Sequence, residues 1–419
     1  MLRLIHSADW QLGARFAQFG NLASRLREAR LATLRRTLAL AREHEADAFL
    51  IAGDLFEDNQ VDEALVAGVV DLFRAHPELP IYILPGNHDP STGPESVWQR
   101  KAFVNAPENV HVLRETGVSK LGENAFLLAS PLHQKLSTTD PSLKLMELVA
   151  GLPVESVKIG ITHGALAIEG KHQPNDFPIA LNAASRAGLD YLAIGHWHNW
   201  LPDTDGGRIV MPGTPEPDRF GNDASGHVAL VEIDGPGQAP RVRPLAVATL
   251  RWRSLTFEFL NAEASRASLR AELAALEPDP AQTVLRVTLT GTASPAALAE
   301  VRSWLEPILK PFLVGQLVDR TRVALSPVEL ADLQGRHPIL AQVLADIDRL
   351  ETFATGQMSV EGSTLANTTA QSSALSTPLT LAEVQTLLAP AKIELARLTP
   401  ELLGQLRQTL LQTLQEVTR

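Results

Sequence analysis

The chain has 419 residues, which at about 150 residues per domain points to two or three domains with a substantial core. It contains no cysteine, so disulfides, thiolate catalysis, zinc ribbons and iron–sulfur clusters are excluded. Its formal charge of −11, with 37 basic against 48 acidic residues, argues against a passive nucleic-acid coat protein but leaves room for local grip. The opening MLRLIHSADW meets a histidine and an aspartate too early for a signal peptide. No uncharged apolar run reaches the roughly 18 residues of a membrane span. A cytoplasmic protein without membrane contact is therefore expected.

In chain order, apolar runs that suit strands fall at Leu2–His6, Ala48–Ala52, Ile81–Leu84, Val157–Thr162 and Tyr191–Ile194. A helix is expected over Ser24–Ala46, where leucines recur at helical spacing and Ser24 suits the N-cap. Strands at Arg208–Met211 and Val228–Ile233 follow without helices, so part of the sheet is expected to be antiparallel. Gly235-Pro236-Gly237 punctuates the end of this first domain, 1–235. A β-α-β-α-β order over 248–324 then suits a small α+β domain, with strands Trp252–Phe259, Val284–Leu289 and Phe312–Arg322 and helices Ala262–Leu276 and Pro295–Leu309. Residues 325–354 read as helical. Residues 355–378, with ten Ser/Thr and one charge, read as a flexible linker. From 379 to 419 the tail is helical, with a stripe of Leu403, Leu406, Leu410, Leu414 and Val417.

Eleven of the 12 histidines precede residue 235, so the chemistry is expected in the first half. Five polar clusters sit at or just past the ends of apolar runs: Asp9-Trp10-Gln11, Gly53-Asp54, Gly86-Asn87-His88-Asp89, His163-Gly164 and Gly195-His196-Trp197-His198. In an α/β sheet such strand ends converge on one crevice. Any one cluster is more often structural than functional; five together are hard to explain by accident. Carboxylates, imidazoles and an amide oxygen suit two divalent cations such as Mn2+, with Fe2+ or Mg2+ as other choices. Two ions about 3.5–4 Å apart need a shared anion, and Asp54 is the candidate bridge. Their chemistry is attack of an activated water on phosphorus. His88 would assist as proton donor or charge stabiliser, and Asp89 would orient its imidazole.

The ordered set Asp9, Gly53-Asp54, Gly86-Asn87-His88-Asp89, His163, Gly195-His196-x-His198 resembles the calcineurin-like metallophosphoesterases. The stretches HSADWQLG from His6 and GDLFED from Gly53 are similar to the DNA-repair exonuclease branch, the SbcD-like nuclease subunits. The resemblance covers about residues 1–235 and implies a four-layered α/β/β/α sandwich with a two-metal site. By implication Asp9, Asp54 and His198 hold one metal; Asp54, Asn87, His163 and His196 hold the other; and His88 takes the catalytic position. It further implies DNA as substrate, an SbcC-like coiled-coil ATPase partner docked by the C-terminal helices, and a homodimer. Two positions depart from the pattern. Gln11 stands where the pattern has histidine, so it enters as a metal ligand through a weaker, neutral amide oxygen. The supporting carboxylate after the bridging aspartate has two candidates, Glu57 and Asp58.

The helix after Asp9 carries six arginines, Arg25, Arg27, Arg30, Arg35, Arg36 and Arg42, against Glu28, and either flanks the site or is a solvated face. Arg15 and Arg219 are candidate substrate contacts. Phe16 and Phe19 either stack a nucleotide or pack their loop down. The leading reading is a two-metal DNA nuclease. The alternatives are a phosphodiesterase of nucleotides or other small phosphoesters, and a catalytically weakened scaffold.

Overall fold

The computed structural model describes residues 1–276 and 278–323 and, beyond them, 335–336, 338, 342–347, 349–350 and 402–403. The linker expected over 355–378 and nearly all of the tail's leucine stripe lie outside the described residues. Of the helix expected over 325–354 only scattered residues are described, all helical. Among the described residues no helix is long and apolar enough to cross a membrane.

The elements run β1 (Leu2–Ser7), α1 (Ala23–Glu43), β2 (Ala48–Ala52), α2 (Glu63–Arg74), β3 (Ile81–Leu84), α3 (Lys101–Val104), β4 (Val110–Val112), β5 (Gly117–Lys120) and β6 (Ala125–Ser130). They continue with α4 (Leu143–Val149), β7 (Val157–His163), α5 (Ala183–Ala187), β8 (Tyr191–Gly195), β9 (Leu201–Thr204), β10 (Ile209–Met211), β11 (His227–Ile233) and β12 (Arg241–Ala246). These form two six-stranded sheets, ordered β12-β11-β1-β2-β3-β4 and β5-β6-β7-β8-β10-β9. The strands that carry the polar clusters are parallel neighbours: β1 with β2 and β2 with β3 in one sheet, β7 with β8 in the other.

The fully apolar strands β2, β3 and β8 are buried along their whole length, as sheets covered on both faces require. Leu4, Leu50 and Leu84 of one sheet meet Leu127, Ile159 and Tyr191 of the other in a shared core. On the outer face of the first sheet, Leu34, Leu38, Val66, Val69 and Phe73 of α1 and α2 cover Ile5, Phe49 and Ile83. On the outer face of the second, α4 and α5 cover Leu128, Leu192 and Ile194. The layering is α/β/β/α.

Two sequence expectations need correction. Ser24 is not the N-cap of α1, which begins at Ala23 after Leu22 and has no side-chain cap. Gly235-Pro236-Gly237 is a hairpin turn rather than an ending, because β12 returns antiparallel to β11 and extends the first sheet. Its alternating exposed and half-buried residues are those of a solvent-facing edge strand, which carries no apolar run to announce it.

The first compact unit comprises Met1–Arg253 with Gln282–Val284. The second holds Ser254–Ala281 and the described residues from Leu285 onward. Here β13 (Arg251–Glu258), α6 (Ala262–Leu276), β14 (Thr283–Thr290), β15 (Thr292–Ala293), α7 (Pro295–Leu309), β16 (Val314–Asp319) and β17 (Arg322–Val323) follow in order. The sheet β13-β14-β16 buries Phe257, Leu285 and Val287 against Leu269, Leu273, Val301 and Leu305 of its two helices.

Candidate metal centre

The site is built where five strands stop. Asp9 lies two residues past β1, Asp54 two past β2, Asn87 and His88 in the turn after β3, His163 at the end of β7, and His196 and His198 just past β8. The loops after β1 and β2 continue side by side: the Asp9, Gln11 and Leu12 amides donate to the carbonyls of Gly53, Asp54 and Leu55. Asp9, Gln11, Asp54 and His196 all take positive φ, at 54°, 45°, 54° and 142°. Such backbone persists only where its surroundings over-determine it. Gly53 at φ +93° explains one part of the design, since a Cβ there would sit 2.1 Å from His163 Nδ1. Gly86 explains another, since its Cβ would sit 2.1 Å from Asp54 Oδ1.

One ligand atom each from the buried residues Asp9, Asp54 and His163 lie within 4.8 Å of one another. Asp54 is the hub. Its Oδ1 accepts from the His88 amide at 2.9 Å, its Oδ2 accepts from Gln11 Nε2 at 3.0 Å, and His163 Nε2 lies 3.5 Å from Oδ2. Asn87 Oδ1 is 2.9 Å from the same His163 Nε2. Asp9 Oδ2 accepts from the His196 amide at 3.0 Å. The His163 and His196 rings meet edge to face, 5.4 Å between centroids.

Each histidine is anchored through one ring nitrogen. His163 Nδ1 donates to the Ala52 carbonyl at 2.8 Å and His88 Nδ1 to the Glu57 carbonyl at 2.9 Å. His196 Nε2 is held by Asp176 Oδ2 at 2.8 Å and His198 Nδ1 by Asp218 Oδ2 at 2.7 Å. An acceptor on one nitrogen fixes the tautomer and frees the other as a ligand, the arrangement metal-binding imidazoles need. The charges follow. Despite burial, the His163 charge and hydrogen bond hold Asp54 well below the usual carboxylate range. Against burial, Asp54 and Asp9 push His163 up to about 9. Burial likewise opposes ionisation of His198 and Asp218, yet their pairing raises the first and lowers the second.

Among the expected site residues, Asp9, Gln11, Asp54, Asn87, His88, His163, His196 and His198 are brought together. Asp89 is not an orienting partner of His88. Its buried carboxylate accepts from the Gly86 amide at 2.7 Å and the Phe56 amide at 2.9 Å, so it holds the turn that presents Asn87 and His88. Of the two supporting acids, Glu57 is half-buried and its peptide carbonyl anchors His88. Asp58 instead caps a surface turn by accepting from the Gln60 amide. Arg15 and Arg219 are exposed. Arg15 borders a cavity of about 490 Å3 shared with Leu12, Gly13 and Asp58, and Arg219 lies close enough to His198 to oppose its charge. Phe16 is buried and Phe19 meets Trp252 edge to face at 5.5 Å, so both pack their loop down. Sequence reasoning missed Asp176 and Asp218, and it did not separate the buried Arg30 from the other arginines of α1. The two acids are each 20 residues from the histidine they hold, one before and one after.

Divalent cations fit this donor set. Asp9 Oδ1 and Gln11 Oε1 are buried without a hydrogen-bond partner among the described residues, an expensive state for polar atoms that a cation would relieve. The ligands are carboxylate, amide and imidazole, suited to hard or borderline ions. Gln11, with Nε2 on Asp54, keeps its oxygen free for such a role.

Residues 2–200 match the calcineurin-like phosphoesterase family. Similar curated proteins include the SbcD component of the SbcCD nuclease from Rhodobacter capsulatus, 28% identical over 307 residues, covering 58% of this chain and 69% of that protein. The DNA double-strand break repair protein Mre11 of Methanopyrus kandleri is 29% identical over 245 residues, covering 52% and 50%. The metallophosphoesterase YhaO of Bacillus subtilis is 25% identical over 227 residues, covering 51% and 53%. The chain thus spans about half the length of two of these relatives. The family match takes in every strand end from Asp9 to His198, and the chain carries a calcineurin-like metallophosphoesterase domain over residues 2–200.

Proposed function

We propose that the chain is a metal-dependent phosphodiesterase whose substrate is DNA. The observation that carries the hydrolase reading is the convergence of Asp9, Asp54 and His163 ligand atoms within 4.8 Å. Asp9, Asp54 and His198 would hold one cation, and Asp54, Asn87, His163 and His196 the other. Two ions bound there, Mn2+ by preference, supply Lewis-acid stabilisation of phosphoryl oxygens and a nucleophile at neutral pH. Asp54, held ionised by His163, would supply negative charge to both ions. His88 is exposed, and with Nδ1 donating to the Glu57 carbonyl it is Nε2 that, protonated in the imidazolium form, would hand its proton to the leaving oxygen and leave the neutral ring. Asp89 keeps that turn rigid.

DNA is supported by the names of the relatives, one a nuclease component and one a break-repair protein. The exposed Arg25, Arg27, Arg35, Arg36 and Arg42 on α1 offer phosphate contacts. A coiled-coil ATPase partner and a homodimer belong to the same reading, the first supported by the name of the Rhodobacter relative as one component of a larger nuclease. The formal charge of −11 favours a second reading, a nucleotide or other small phosphoester as substrate.

The test is Mn2+-dependent cleavage of linear and hairpin DNA beside turnover of bis(p-nitrophenyl) phosphate. His88→Ala is expected to lower both by about 10²- to 10⁴-fold with the fold retained. Small-ester turnover with no DNA cleavage would select the second reading. Failure to bind metal would select a non-catalytic scaffold.

A further inference from the structure

Arg30 is the one arginine of α1 that is buried, at 1% exposure. Its Nη1 donates to the Trp10 carbonyl at 2.5 Å, between Asp9 and Gln11. Its guanidinium lies over the Phe16 ring, 5.4 Å from the centroid. Nε and Nη2 have no hydrogen-bond partner among the described residues. The carboxylates close enough to act on its charge are Asp218, Glu216 and Glu57. Glu216 is already engaged, accepting from the Thr33 hydroxyl and from the Thr249 and Leu250 amides at 2.7 and 3.0 Å. Asp218 holds His198 through Oδ2 and accepts from Asn222 Nδ2 through Oδ1.

Burial penalises a guanidinium heavily, and an apolar side chain of equal volume would pack such a position more favourably. The position is explained by charge. Of the groups that meet that charge, the Trp10 carbonyl by hydrogen bond and Asp218 through space both lead to one cation. The Trp10 carbonyl fixes the backbone that carries Asp9, and Asp218 aims His198.

We propose that Arg30 is a positioning residue that locks Asp9 and His198 onto the same cation, gripping the first through the Trp10 peptide and the second through the field it exerts on Asp218. The inference rests on the ligand assignment proposed above. It distinguishes Arg30 from the five other arginines of α1, which are exposed.

The test uses the full chain with Arg30→Met, Arg30→Lys and His198→Ala, each checked for folding by circular dichroism and titrated with Mn2+ by calorimetry. Wild type is expected to bind in two steps, and His198→Ala identifies which step its ion makes. Arg30→Met should weaken that step about tenfold and leave the other unchanged. Arg30→Lys keeps the charge without the planar fork, and should fall between wild type and Arg30→Met. If Arg30→Met does not fold, Arg30→Lys decides by the same criterion. Unchanged steps, or equal weakening of both as a general loss of structure would give, overturns the inference. If wild type does not bind two ions, or His198→Ala alters neither step, the ligand assignment itself fails and the inference falls with it.

Discussion

Two pairs of histidines meet at these strand ends, and they are held by different means. His163 and His88 hang on peptide carbonyls, those of Ala52 and Glu57, which belong to β2 and the loop that follows it. His196 and His198 hang on carboxylates, those of Asp176 and Asp218, which come from loops rather than from the strands. The first kind of anchor is a property of the sandwich itself, and no side-chain exchange at the acceptor removes it. The second kind can be deleted by a single side-chain exchange. One half of the centre is therefore as durable as the sheet, and the other half is tunable.

The largest expected effect breaks the durable half. Gly53→Ala would put a Cβ 2.1 Å from His163 Nδ1 on backbone at φ +93°. We expect a stability loss of about 1–3 kcal/mol, read from chemical denaturation, together with loss of Mn2+ binding. Wild-type affinity in this variant would show that the Ala52 anchor is dispensable. Next come Asp218→Asn and Asp176→Asn, which strike the tunable half. Each should weaken Mn2+ binding by about 10- to 100-fold while the melting temperature of the metal-free protein moves little by comparison. A melting loss as large as that of Gly53→Ala would erase the distinction between the two kinds of anchor.

The same distinction decides what was readable beforehand. Asp9, Asp54, Asn87, His163, His196 and His198 are legible because each follows an apolar run, and strand ends of parallel neighbours must converge. The carbonyl anchors need no signature, since every residue has one. Asp176 lies in a loop with no periodicity, and Asp218 sits in a turn-rich stretch beside Arg219. Their pairing with histidines is a fact of three dimensions. Arg30 did leave a trace. Leu26, Arg30, Thr33 and Thr37 recur at helical spacing on the buried face of α1, so a charged residue occupies the apolar stripe. The edge strands β5 and β12 were missed because their half-exposed residues carry no apolar run.

His163 is pushed up to about 9 in the metal-free protein, against 6.5 ordinarily. Its ring is thus protonated near neutral pH and must lose a proton to serve as a ligand. Mn2+ binding near neutral pH should therefore release about one proton from this residue, visible as a buffer-dependent binding enthalpy, and should tighten as pH rises toward about 9. The stability sign runs the other way. A raised folded-state pKa stabilises the metal-free protein fully below about 6.5, and that contribution is lost as pH climbs through about 9. A binding enthalpy independent of buffer would mean that His163 is already neutral.

The smallest expected effect lies at Gln11, where the two halves touch. Its Nε2 donates to Asp54 Oδ2 and its Oε1 is buried without a partner. The amide therefore supports the shared carboxylate and offers at most a weak, neutral ligand. Gln11→His replaces that oxygen with a stronger imidazole donor for the same ions. It also removes the hydrogen bond to Asp54, so the gain is partly offset. We expect the Mn2+ step weakened by Asp218→Asn to tighten in Gln11→His, by less than the loss that Asp218→Asn causes. Combining the two substitutions should recover part of that loss, because a ligand added on the Asp9 loop does not depend on how His198 is aimed. A double variant no better than Asp218→Asn alone would mean that Gln11 serves Asp54 and never reaches the metal.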